Sequence, residues 1–212
     1  MKFIITSLLL SVLFIGQASA QKDPKAKSIL DEMSNKYKNI PSFKADFTYN
    51  MENPEADINE GFKGKVSVKG EQYKISMEGQ DIMFDGENVW TYLKEDGEVT
   101  VAPFEESEEE ISLSNIFTLY QSGFKYLYLE SRDGGKTDVV DLVPEDLNKN
   151  YFKIRMQINA ATKELKTFKV FDKSGSRYVY TIVSFQEDSS LTDADFTFNK
   201  AKNPNVEVID FR

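Results

Sequence analysis

No histidine and no cysteine occur among the 212 residues. The first absence removes the usual general base, the commonest metal ligand and every Ser-His-Asp or Cys-His constellation. The second removes disulfides, thiolate nucleophiles, iron–sulfur clusters and cysteine-bound zinc. Basic side chains are in deficit, 26 against 35 acidic ones, for a net charge of −9. A chain of that balance lacks the electrostatic footprint of a nucleic-acid or anionic-lipid binder. Carboxylates, hydroxyls, Lys and Arg are left, which permit glycosidase-type or oxygen-ligand metal chemistry.

One long uncharged run is present, at the start. Met1-Lys2 gives a short positive end, Phe3 to Gly16 is mostly apolar, and Gln17-Ala18-Ser19-Ala20 ends in an A-x-A set of small residues. This pattern predicts a secretory signal peptide over 1–20, cleaved before Gln21. As a helix the apolar run would reach about 21 Å, short of the ~30 Å hydrocarbon core of a bilayer. Residues 21–212 are expected to form one domain, a length that buries about 70% of its unfolded surface.

Ile29, Leu30, Met33 and Tyr37 form an apolar stripe on an otherwise charged helix from Pro24 to Asn39. Ile40-Pro41-Ser42 ends it, because the residue before proline is pushed out of the helical region. The period then changes to two. Phe43, Ala45, Phe47, Tyr49 and Met51 alternate with polar residues, as do Phe62, Gly64, Val66, Val68 and then Tyr73, Ile75, Met77. Asp85-Gly86 and Asp96-Gly97 mark turns around 81–84, 88–93 and 99–101. Ser112 to Gln121 predicts a second, inserted helix with Leu113, Ile116, Phe117 and Tyr120 on one face and Gly123 as its stop. Strands resume at 138–143, 151–159, 164–171 and 177–185, and a short one over 206–209 closes the chain. About eleven antiparallel strands and two helices predict a large curved sheet or barrel.

Such a sheet must cover its apolar face. Of the 16 Phe and 10 Tyr, Phe3 and Phe14 lie in the expected signal peptide and the rest fall mainly on that side, either as an ordinary filled core or as the wall of a cavity; periodicity does not separate the two. Elsewhere, candidate chemistry is thin. Glu105, Glu106, Glu108, Glu109 and Glu110 lack the spaced ligands and sharp glycine turn of a calcium loop, and predict a solvated face or a docking patch. Gly134-Gly135-Lys136-Thr137 has the end of a phosphate loop but Glu130 where its first glycine belongs, so it predicts a hairpin turn. Asp138 and Asp141 are an acid/base pair only in the sense that any highly charged chain offers one. No catalytic residue, metal site or cofactor is called for.

Four segments carry a resemblance. Ile40-Pro41-Ser42-Phe43-Lys44-Ala45-Asp46-Phe47-Thr48 is similar to the helix-to-strand entry of the LolA family of periplasmic lipoprotein carriers. Gly61 to Lys69 resembles that family's second strand, and Asp85-Gly86-Glu87-Asn88-Val89-Trp90-Thr91-Tyr92 its D-G hairpin with a W-x-Y strand. Asp195-Phe196-Thr197-Phe198 with Pro204, Val206 and Val208 resembles its F-x-F…P-x-V-x-V close. The ordered set runs from about Ser28 to Asp210.

The resemblance implies an incomplete, eleven-stranded antiparallel barrel with helices as a lid, and a cavity that shields acyl chains between inner and outer membranes. With strand alternation, it places Phe47, Tyr49, Phe62, Tyr73, Ile75, Met77, Phe84, Trp90 and Tyr92 on the cavity wall and Leu113, Ile116, Phe117 and Tyr120 on the lid. It implies acylated lipoproteins, an inner-membrane lipoprotein-releasing transporter and an outer-membrane acceptor as partners, and a monomer in the periplasm of a Gram-negative bacterium. Carriage of another lipid or glycolipid and a lipoprotein-sensing regulatory domain are the alternatives. Family prototypes latch the lid with an arginine followed by proline after the second strand. Here Lys69-Gly70-Glu71-Gln72-Tyr73 has neither, and Lys69 is left as a possible weak latch, a point charge and not a bidentate fork.

Overall fold

A computed structural model describes residues 23–105, 111 and 116–212. The expected signal peptide, most of the acidic run and Leu113 lie outside the described residues. The chain begins with α1 (Pro24–Lys38) and continues through β1 (Ser42–Asn53), β2 (Ile58–Lys69), β3 (Gln72–Met77), β4 (Gln80–Phe84), β5 (Asn88–Leu93) and β6 (Glu98–Pro103). After the inserted segment come β7 (Phe124–Arg132), β8 (Thr137–Pro144), β9 (Tyr151–Asn159), β10 (Leu165–Asp172), β11 (Arg177–Glu187) and β12 (Glu207–Asp210).

All twelve strands form one sheet in the order β12-β6-β5-β4-β3-β2-β1-β11-β10-β9-β8-β7. Its two edges, β12 and β7, do not pair, so the barrel is unclosed. Hairpins build each half, and the long-range pairing of β1 with β11 joins them. A bulge at Asp46/Phe47 shifts that register and sharpens the local curvature. β12 departs from the antiparallel expectation: it lies parallel to β6, because the chain crosses the back of the sheet before pairing.

The inserted segment differs from the expected helix where it is described. Ile116 to Thr118 form a turn and Leu119–Gln121 a single 3-10 turn, which ends as Ser122 becomes extended and Gly123 adopts φ +74°. Gly134 and Gly135, at φ +65° and +91°, are the hairpin between β7 and β8, as the failed phosphate-loop pattern predicted.

Helix α1 lies over the concave face of β7–β10. Ala26, Ile29, Leu30, Met33 and Tyr37 bury against Val140, Leu142, Ile154, Met156, Ile158 and Phe168, with Ile116 and Tyr120 in the same cluster. Asp23 fixes the helix start. Its carboxylate accepts from the amides of Lys25 and Ala26 at 2.8 and 3.3 Å, with Pro24 in the first turn, and from the amide of edge residue Tyr128 at 3.0 Å. One side chain thus caps the helix and ties it to the sheet edge. Replacing Asp23 with Ala is expected to cost about 1 kcal/mol of stability, measured by urea unfolding at neutral pH. The Tyr128 amide above all holds the Asp23 carboxyl below its ordinary value. A carboxyl depressed in the folded state contributes stability above about pH 4 that is lost as pH falls through the folded value. The variant should therefore lose less stability than wild type on acidification.

Candidate functional site

The register decides which side chains share the concave face. Phe43 pairs with Val68, which pairs with Tyr73, then Phe84 and Val89; Ala45 leads in the same way to Val66, Ile75, Ile82 and Thr91; Phe47 leads to Gly64, Met77 and Gln80. Toward β11, Tyr49 meets Tyr180 and Met51 meets Tyr178. Apart from Gln80 and Thr91, these positions on the concave face are apolar from β5 across to β11, and the cluster buried under α1 continues the apolar surface over β10 to β7.

Its two halves are covered unequally. Under α1 the side chains of Val140, Leu142, Ile154, Met156 and Ile158 are fully buried. Over β1–β5, Tyr49, Tyr73, Ile75, Met77 and Ile82 are only half-buried, and Phe62 is 38% exposed. These residues form an apolar trough beside the helix. Phe47, only 2% exposed, lies beneath its surface in the space Gly64 leaves, since a Cβ on Gly64 would fall 2.4 Å from Phe47 Cζ. Phe84 is buried against Tyr73 and Phe104, at ring distances of 5.4 and 4.7 Å.

Aromatic packing closes one end of the trough. Phe117 stacks on Tyr37 at 3.7 Å, and both approach Phe43, with Phe185 completing the group. Tyr37 is itself held by the Leu165 amide, which donates to its hydroxyl at 3.1 Å; burial pushes its pKa up to about 12. A crevice of about 190 Å³ remains between Tyr37, Ile40, Phe43, Val68 and Phe117. Tyr120 donates a 2.8 Å hydrogen bond to Asp31 of α1, which ties the inserted segment to the helix.

Trp90 and Tyr92 correct the expected wall. They pair with Met83 and Asp81, on the opposite, convex face. The Trp90 indole donates to Asp85 at 2.9 Å with Arg212 over its ring, and Tyr92 meets Phe198 at 5.1 Å. Alternate residues of β5 are apolar on both sides because its concave face belongs to the trough while the C-terminal segment covers its convex face.

Lys69 is corrected too. Its neighbour Val68 points into the trough, so Lys69 points out, and its Nζ lies 2.6 Å from Asp193 Oδ1 in the C-terminal segment. From that face it does not latch the described part of the inserted segment. Lys69→Leu is expected to leave acyl-cargo release within about twofold of wild type, because an exposed pair of this kind is worth about 0–1 kcal/mol. Transfer of a labelled lipoprotein from the purified protein to acceptor membranes checks this; trapped cargo would restore the latch.

Asp138 and Asp141 are three residues apart on β8 and point to opposite faces, which disposes of an acid/base pair. Arg155 grips Asp141 with two bonds of 2.7 and 2.9 Å. No group of ligating side chains suited to a metal occurs among the described residues. The convex face does hold a groove of about 480 Å³, but Lys44, Asp46, Lys65, Lys74 and Asp195 line it, which suits no apolar chain.

Tyr178, Tyr180, Ile182 and Phe185 belong to the trough and its closed end but were absent from the expected wall. Tyr178, Tyr180 and Ile182 alternate in the sequence, whereas Phe185 joins their face only through the register shift that skips Val183. Their placement opposite Tyr49 depends on a pairing across more than 120 residues, which periodicity does not report.

The model of the outer membrane lipoprotein carrier protein LolA matches residues 38–199. No match was found among the curated proteins. Among solved structures, an uncharacterised conserved protein from Thermus thermophilus superposes with a TM-score of 0.58 at 12% identity, covering 88% of this chain and 99% of that one. A DUF1329 family protein from Desulfovibrio piger gives 0.50 at 13%, covering 81% and 97%. A LolA superfamily protein from Nitrosomonas europaea gives 0.46 at 15%, covering 82% and 97%. The family match spans well over half of the chain, from the end of α1 to the C-terminal crossing segment: the protein belongs to the LolA family of outer membrane lipoprotein carrier proteins.

Proposed function

We propose that the protein is a non-enzymatic carrier that shelters the acyl chains of lipoproteins in its concave trough and moves them across the periplasm from inner to outer membrane. The observation that carries this reading is the unequal cover of the concave face. An apolar surface left half-open beside a helix that fills the other half is a place for an apolar ligand. A sixteen-carbon chain costs about 12 kcal/mol to hold in water, at roughly 0.8 kcal/mol per methylene, so unaided crossing is negligible. Phe, Tyr, Ile and Met side chains offer comparable surroundings to a membrane, and Met77 and Met51 adapt to chains of varied shape. Transfer in and out can then be nearly neutral in free energy. No helix among the described residues is long and apolar enough to cross a membrane. An inner-membrane releasing transporter and an outer-membrane acceptor complete the proposed route, with the carrier acting as a monomer.

The test is to recover the protein from its producing cell, extract it with organic solvent and identify the released molecules by mass spectrometry. Acylated protein or its diacylated fragment supports the carrier. Free glycolipid would redirect the trough to another cargo. An extract with no lipid would mean that the trough is only an open flank of the core.

A further inference from the structure

Three phenols converge at the end of the trough away from Phe117. Tyr49 lies on β1, and Tyr178 and Tyr180 face it from β11; the Tyr49 ring is 5.0 Å from Tyr180 and 6.4 Å from Tyr178. Apolar rings back them, with Phe62 stacked on Tyr49 at 4.7 Å and Phe168 on Tyr180 at 4.4 Å. Burial raises the pKa of Tyr49 and pushes that of Tyr180 up to about 12, and the neighbouring phenols add to both shifts. Tyr49 and Tyr180 are therefore neutral donors at physiological pH.

No hydrogen bond joins any of these three hydroxyls to another described residue. The contrast with two other tyrosines of the fold is direct: Tyr37 accepts from Leu165 and Tyr120 donates to Asp31. None of the three hydroxyls is sealed from water in the trough. Apolar cargo laid over them would displace that water and leave the O–H groups unpaired at a cost, so a ligand that covers them is favoured when it brings its own acceptor.

We propose that Tyr49, Tyr178 and Tyr180 form a polar subsite that donates hydrogen bonds to the ester carbonyls joining acyl chains to their glycerol. The subsite rests on the carrier reading and refines it by orienting the cargo. Tyr49 is six residues along β1 from Phe43, about 20 Å of strand. Acyl chains extend from the tyrosines past Ile75 toward the aromatic closure, and the glycerol and whatever it bears stay at the tyrosine end. The ester supplies the acceptor whether the head is a lipoprotein or a free glycolipid.

The test compares two probes on delipidated full-length mature protein, dipalmitoylglycerol and its dihexadecyl ether counterpart, by displacement of a fluorescent apolar dye. The ether keeps the chains and removes the carbonyls. Wild type is expected to bind the ester about tenfold more tightly, the effect of one or two net hydrogen bonds. The triple variant Tyr49→Phe, Tyr178→Phe, Tyr180→Phe should reduce the ratio of ester to ether affinity to within twofold. Its thermal stability should not fall, since no described partner is lost. Equal binding of ester and ether by wild type, or a preference that survives in the variant, would overturn the subsite and leave the carrier reading standing. Failure of wild type to bind either lipid would overturn both.

Discussion

Replacing Phe196 with alanine is expected to lower the stability of the protein by about 3–5 kcal/mol, the usual cost of emptying a phenylalanine site in a packed core. Phe196 is fully buried, yet it belongs to no regular strand. It ends the 3-10 turn Asp193–Phe196, which a capping box between Thr192 and Asp195 holds and which packs against β3 on the convex side. Met83, Val99 and Val101 point to that same face and are only 2%, 0% and 0% exposed. The crossing segment is anchored along its path by Lys44–Asp188 and Lys69–Asp193 pairs at 2.6 Å. Those pairs are exposed and contribute little; the phenylalanine supplies the cohesion. Urea unfolding followed by fluorescence gives the measurement, with Phe196→Leu expected to recover most of the loss. Phe62→Ala, at a ring already 38% exposed in the trough, should cost far less. A loss below about 1 kcal/mol for Phe196→Ala would mean that the crossing segment is decoration and that the back of the sheet is stable uncovered.

That second, convex core explains where the sequence was legible and where it was not. Strands β1, β2 and β3 show period two because one side is apolar and the other carries polar and charged residues, and their parity follows directly. In β5 the alternation fails as a guide: Val89 faces the trough and Trp90 the crossing segment, and both are apolar because one face lines the trough and the other is covered by the C-terminal segment. Strand β7 escaped notice for a related reason. Leu127 and Leu129 interrupt the pattern of Phe124, Tyr126 and Tyr128, and they stand 53% and 37% exposed on the outer side of an edge strand. Lys69 drew attention through its position after the second strand, but the alternation that makes Val68 an inward residue already sent its side chain outward. Tyr178 and Tyr180 could be placed on one face of β11 from spacing alone. That they close on Tyr49 depends on how the two halves of the sheet meet, and a bulge at the junction changes that register.

Introducing a carboxylate at the middle of the trough, by Ile75→Glu, is expected to reduce retained acyl cargo more than tenfold while leaving the protein folded. Ile75 sits between Val66 and Ile82 in register and is half-buried. Without cargo, the new side chain reaches water and its charge stays solvated, so the cost to folding is limited to lost apolar contact. With cargo, the charge must be covered by methylenes or the chain must leave that part of the wall. Burying an unpaired carboxylate costs several kcal/mol, more than enough for a tenfold loss of affinity. Acid should reverse the defect: burial against cargo raises the pKa of the glutamate, so a falling pH neutralises it first in the loaded state and restores retention. The control is Ser76→Glu, one residue along β3 and pointing to the convex groove beside Lys65. It adds the same charge on the other side of the same strand and should leave retention close to wild type. Equal losses in the two variants would trace the effect to overall charge; retention unchanged in Ile75→Glu would mean that acyl chains do not lie along this wall.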